Sequence, residues 1–220
     1  MRSARPGREI DGSFPTEPIH ESPIARSAVF AARRRARLRR YPNPGHAAPW
    51  RKTGRRLRPA QLQGLNRSLA LIKTLPAKFG KADQIYAPST ASQKRDPAGT
   101  FNYIRPLATI EPTAIALGLP VNTAFDMLAI DGLQQQLVNP LRHGKTVYIA
   151  WEHKQLQALA TDIMRRYGGK DGAAQVPAWG KDDFDSLYVI DIDYGKGKPI
   201  ARFRHDKQDL NDLPDACPDA

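Results

Sequence analysis

Apolar positions recur at helical spacing over Leu62, Leu65, Leu69, Ile72 and Leu75, and the run closes at Pro76 and Gly80. Gln84-Ile85-Tyr86-Ala87 then has the length and composition of a short buried strand. Residues 88–100 are polar, rich in Ser, Pro and Gly, and read as a loop. A second helical run opens at Arg105, carries Leu107, Ile110, Ala114 and Ile115, and stops at Gly118 with Pro120 beyond it. Val121-Asn122-Thr123 can form a short strand, and Asp131 is placed to cap a helix over Leu133, Leu137 and Val138. Residues 146–150 predict a strand, and 153–167 a helix ending at Gly168-Gly169. Residues 187–192 and 200–203 flank Tyr194-Gly195-Lys196-Gly197-Lys198, which is a hairpin signal.

Strands alternating with helices predict an α/β three-layer sandwich: a mostly parallel sheet flanked by helices, with the hairpin at one edge. The pattern occupies 59–220. Residues 1–58 hold no sustained period of either kind, because prolines at 6, 15, 18, 23, 42, 44 and 49 interrupt nearly every candidate element. Charge divides the chain at the same place. Of 34 Lys+Arg and 22 Asp+Glu, residues 1–60 hold 15 and 4, whereas 61–220 hold 19 and 18. The net charge of +12 is therefore an N-terminal property, and the body is nearly neutral. A basic, aperiodic segment of this kind is expected to be disordered. As a functional element it would be an arm that grips nucleic-acid phosphates. The body offers no recognisable reading module, so nucleic acid is not the partner expected for it.

No run of eighteen apolar residues exists to span a membrane, and the N-terminus lacks the apolar core of a signal peptide. The single cysteine, Cys217, permits no internal disulfide and no metal cluster. A reducing, cytoplasmic location is the expectation.

Two stretches carry candidate chemistry. Tyr103-Ile104-Arg105 opens a helix, and Trp151-Glu152-His153 follows an apolar strand, so each delivers a cation at a strand–helix junction. Helix N-termini offer free N–H groups and a positive dipole end, which collect anions. Either residue alone is an ordinary junction residue; an Arg and a His converging there suggest a phosphoryl site.

These residues resemble the histidine phosphatase superfamily, the phosphoglycerate-mutase-like fold. Its members pair an Arg-x-x-x-Thr helix after the second strand with a later strand that ends in a His. Arg105 to Thr109 and the strand leading to Trp151-Glu152-His153 look like those two elements, in the same order. The helix around Gly64-Leu65-Asn66-Arg67 is similar to the one after the family's first loop. The resemblance covers roughly residues 60–217 and implies metal-independent hydrolysis or transfer of a phosphoryl group, with no cofactor and a phosphorylated small-molecule substrate. Arg105 would clamp the phosphate, with Thr109 beside it, and His153 would be the second histidine, oriented by Glu152. The family's proton donor lies between the two elements, which leaves Asp126 and Asp131 as candidates and Glu111 as a weaker one.

The family's defining Arg-His-Gly triplet, whose His is the nucleophile, should end the first strand before residue 60, and no such triplet is there. Arg142-His143-Gly144 has the letters but precedes a strand, and reads as a loop. Back-translating His46 to Gln63 and shifting by one base allows the peptide RHGEKPADGLGQLNC, which looks like the missing loop and runs straight into Gly64-Leu65-Asn66. Residues 1–63 are accordingly read as out of frame, with the domain's first strand lost and the chain inactive or impaired. The alternatives are nucleic-acid binding through the arm and a catalytically dead phosphatase-like scaffold.

Overall fold

The chain is described here by a computed structural model, which covers residues 25–30, 59–96, 99–195 and 198–217. Val147–Ala150 is buried at all four positions. A strand with no polar alternation has to be covered on both faces and paired on both edges. It is β6 of a six-stranded sheet whose other members are β1 (Ala25–Phe30), β2 (Gln84–Tyr86), β5 (Val121–Asn122), β7 (Ser186–Asp193) and β8 (Ile200–Lys207). Their order is β5-β2-β6-β1-β7-β8. The first four of these are parallel, while β7 is antiparallel to β1 and β8 to β7.

The helices α1 (Pro59–Phe79), α2 (Arg105–Leu117), α3 (Ile130–Leu137) and α4 (His153–Tyr167) connect these strands. From β1 the chain steps outward to β2 and β5, then returns to insert β6 between β2 and β1. Right-handed crossovers therefore put α1 and α2 on one face and α3 on the other, where α4 joins it. The contacts agree, α1 packing along α2 and α3 against α4. The expected three-layer α/β arrangement is observed. Helices following β1 and β2 leave on one side and the helix following β6 on the other, so the carboxyl end of β6 is the topological switch point, where open α/β sheets bind ligands.

Three expectations need correction. A first strand is present: residues 27–30 pair with 147–150, and 25–30 with 187–192, at the centre of the sheet. Six residues between Pro23 and an Arg-rich run are too short to show a period, but two largely buried strands with open edges hold a slot for any extended segment. The expected disorder and the basic arm fall otherwise on residues outside those described. Second, the presumed loop contains a hairpin, β3 (Gln93–Asp96) with β4 (Gly99–Asn102). Third, Asp131 does not cap α3: Ala129 holds that position without a side-chain bond, and Asp131 lies in the first turn. β8 runs four residues beyond the expected 200–203, and α1 continues through Pro76 to Phe79, whereas α2 ends as expected at the left-handed Gly118 (φ 67°), whose N–H bonds to the Ala114 and Ile115 carbonyls.

Arg67 fastens α1 to the far edge. It is 5% exposed. Its Nη1 donates to the Phe184 carbonyl at 2.9 Å and to Gln208 Oε1 at 3.2 Å, and lies 3.4 Å from Asp185 Oδ1. Nη2 donates to Asn211 Oδ1 at 3.2 Å. Burial lowers the guanidinium's proton affinity, and Asp185 opposes that shift. Removing the cation would strand a buried carboxylate, a loss of about 3 kcal/mol. Urea unfolding of Arg67→Met should show a destabilisation of that size; a loss below about 1 kcal/mol would mean that the network contributes little.

Candidate phosphoryl site at the carboxyl end of the central strand

The turn from β6 into α4 is built from Trp151, Glu152 and His153, all buried. Trp151 anchors it, Nε1 donating to the Met127 carbonyl at 2.8 Å. Glu152 is extended (φ −72°, ψ 129°) and caps α4, Oε2 accepting from the N–H groups of Lys154 at 2.8 Å and Gln155 at 3.1 Å. A carboxylate there also meets the positive end of the helix dipole. Its other oxygen, Oε1, is shared: Lys94 Nζ donates to it at 2.9 Å, and His153 Nδ1 lies 2.9 Å away. Burial pushes the Glu152 carboxyl up, but Lys94, the Gln155 N–H and His153 outweigh it and hold the group below its ordinary value.

Lys94 reaches this point from β3, and its Nζ also lies 5.2 Å from the centroid of the Tyr103 ring. The Tyr103 N–H donates to the Ser92 carbonyl at 2.7 Å, which closes the base of the hairpin. Ile104 and Arg105 follow, so the start of α2 is tied by short links to the Glu152–His153 turn. Arg105 is the first helical residue, half-buried, with Pro106 in the next position, where a missing N–H costs nothing.

The other candidates are placed differently. Thr109 is buried and its hydroxyl donates to the Arg105 carbonyl at 3.0 Å, so that hydroxyl serves the helix. Asp126 accepts from the Leu128 N–H at 3.0 Å and from Ser92 Oγ at 2.8 Å, and these bonds hold its carboxyl below the ordinary carboxylate range. Those two bonds fasten the loop before α3. Asp131 is exposed and lines an open groove with Gln134, Lys154, Gln157 and Trp179. Glu111 is exposed on α2.

Arg142-His143-Gly144 is indeed a loop. It ends a short 3₁₀ turn (Pro140–Arg142) at the amino end of β6, with Gly144 at φ 72°. The Arg142 guanidinium is engaged there, Nη2 donating to the Tyr86 hydroxyl at 2.7 Å and to Gln136 Oε1 at 2.9 Å. Among the described residues, no group of three or more His, Cys, Asp or Glu is arranged to hold a metal ion, and no helix is long and apolar enough to cross a membrane. Lys94 was not legible in sequence: it sits in an aperiodic polar stretch, and its partner is 58 positions away.

No protein-family model matches the chain, and no curated protein does. Solved structures with a related arrangement include a chain assigned as the phosphohistidine phosphatase SixA from Agrobacterium tumefaciens, at 13% identity and a TM-score of 0.44. A second, assigned likewise, is from Nakamurella multipartitia, at 12% identity and a TM-score of 0.42. In both cases the match covers 83% of this chain and 96% of the other. A likeness this distant carries no argument about chemistry; the site's own geometry has to supply it.

Because the folded Glu152 carboxyl binds its proton less readily than the unfolded one, its contribution is full above the unfolded value near 4.5 and drains away as pH falls through the folded value. Stability between about pH 6 and pH 3 should therefore fall less steeply in Glu152→Gln than in the parent. Parallel urea-unfolding curves against pH would check this, and equal slopes would contradict the assignment.

Proposed function

We propose that this chain is a histidine-phosphatase-type domain whose crevice at the end of β6 binds the phosphoryl group of a phosphorylated small molecule. The observation that supports it best is His153, 3% exposed, held against the ionised Glu152 at the carboxyl end of a central parallel strand. Arg105, at the start of α2, would supply the cationic clamp. Preorganised charge around the equatorial oxygens is the main catalytic effect in phosphoryl transfer.

In the parent chemistry a neutral histidine attacks phosphorus and the P–O bond to the leaving group breaks. The leaving oxygen takes a proton from a carboxylic acid, and water then attacks the phosphohistidine, releasing phosphate and the free imidazole. Asp131 is the proton donor in this proposal, because both oxygens of Asp126 already accept hydrogen bonds from Leu128 and Ser92. His153 stabilises charge; it does not supply the missing nucleophile.

The slot for that nucleophile is defined by pairing. Phe30 lies opposite Ala150 in register, so β1 ends level with the last residue of β6. In this chain Ala31-Ala32-Arg33-Arg34 follow, with no histidine among them. The chain as written is proposed to be inactive or nearly so, with residues 1–63 out of frame and a strand ending in Arg-His-Gly belonging in the slot that 25–30 fill. A phosphatase-like scaffold is what remains if the restored frame has no activity. The proposed setting is cytoplasmic.

A chain restored to the alternative frame should hydrolyse a generic phosphomonoester such as p-nitrophenyl phosphate, while the chain as written should not. Replacing Arg105 by Ala in the restored chain should lower turnover at least about 100-fold. Unchanged turnover would remove Arg105 from the site, and a restored chain as silent as the original would overturn the catalytic reading.

A further inference from the structure

We propose that Lys94 is a positioning residue of this site, acting through Glu152: by sharing one carboxylate oxygen with His153, it keeps the imidazole readily deprotonated. The proposal deepens the phosphoryl-site reading and rests on it for its catalytic meaning, but its test does not depend on activity.

Glu152 is 3% exposed, so its negative charge has to be compensated by neighbours more than by water. Two nitrogens are placed to do so at the same oxygen, Lys94 Nζ at 2.9 Å and His153 Nδ1 at 2.9 Å. They compete. If Lys94 were absent, the nearest compensation for the carboxylate would be a protonated His153, and the imidazolium would be favoured. With Lys94 in place the carboxylate is already neutralised, and the ammonium adds direct repulsion against a charged ring about 6 Å away at most. Both effects act in one direction, toward a neutral ring at higher proton concentration.

The consequence for chemistry follows from the two ring nitrogens. With a carboxylate oxygen 2.9 Å from Nδ1, the field of Glu152 favours the neutral tautomer that holds its proton on Nδ1 and leaves Nε2 bare; protonation turns Nε2 into a donor. Lys94 thereby sets the pH at which His153 changes from an acceptor to a cationic donor for a phosphoryl oxygen. Lys94 itself is 30% exposed along its side chain and lies on a hairpin arm, so the arm's docking onto Glu152 and the charge state of the ring are coupled. The other charged and titratable groups on elements meeting at this end of the sheet are Arg105 at the start of α2, Asp126 before α3, Lys154 next along α4, Asp183 and Asp185 before β7, His205, Asp206 and Lys207 at the end of β8, and Arg67 of α1. They are common to every variant below and cancel in the comparison.

The test is a histidine titration by two-dimensional proton–nitrogen NMR on the full chain, which has five histidines, with the His153 signals identified by their loss in His153→Gln. In Lys94→Met the His153 midpoint should rise by about one pH unit, while in Lys94→Arg it should stay near the parent's. In Glu152→Gln it should fall. A Lys94→Met midpoint equal to the parent's, with the fold intact by circular dichroism, overturns the proposal and leaves Lys94 as a hairpin brace over Tyr103. Should Lys94→Met fail to fold, the Arg variant and Glu152→Gln decide: a His153 midpoint unmoved by Glu152→Gln breaks the link through which Lys94 would act. A frame-restored chain without phosphatase activity but with the expected shifts would sink the catalytic reading and leave the coupling standing.

Discussion

A four-residue strand buried on every side cannot have an open edge, and most of this architecture follows from that. Val147–Ala150 needs hydrogen-bonding partners left and right as well as helices above and below. β2 supplies one edge, and the other has to be filled by whatever extended segment the N-terminal part of the chain provides. In this chain it is Ala25–Phe30, bridging β6 and the antiparallel β7–β8 ribbon. That slot is structural for the sheet: the parallel half and the antiparallel ribbon are joined through this one segment.

The carboxyl end of β6 shows how one side chain can serve fold and chemistry together. Glu152 ends the strand and caps α4 with one oxygen, while the other holds the hairpin arm through Lys94 and lies against His153. A carboxylate with so many donors stays ionised despite its burial. Helix start, hairpin position and histidine environment are thus linked through a single charge, and any change to it is felt in all three.

Much of this was legible from residue pattern. The α2 and α4 helices have clear periods and glycine stops, and their boundaries agree closely with the structure; the β7–β8 hairpin was also legible, though β8 runs four residues further than its pattern. Arg105 and His153 were found because both sit where a period changes. What escaped were features with no local signal. The 25–30 strand owes its place to apolar partners more than a hundred positions on. Lys94 owes its place to a pairing across 58 positions, from a stretch that reads as plain polar loop. The roles of carboxylates were equally opaque: Asp126 and Asp131 look alike in sequence, and only the bonds from Leu128 and Ser92 separate them.

The central claim is that the crevice flanked by the start of α2 and the β6–α4 turn receives a phosphoryl group. The most direct measurement is amide chemical-shift mapping of the chain titrated with inorganic phosphate, repeated with sulfate at equal ionic strength. Saturable shifts concentrated at Arg105–Thr109 and Glu152–Gln155, stronger for phosphate and abolished in Arg105→Ala, are the predicted result. Shifts that do not saturate, or that gather on the basic N-terminal segment and leave these two stretches unmoved, would contradict it.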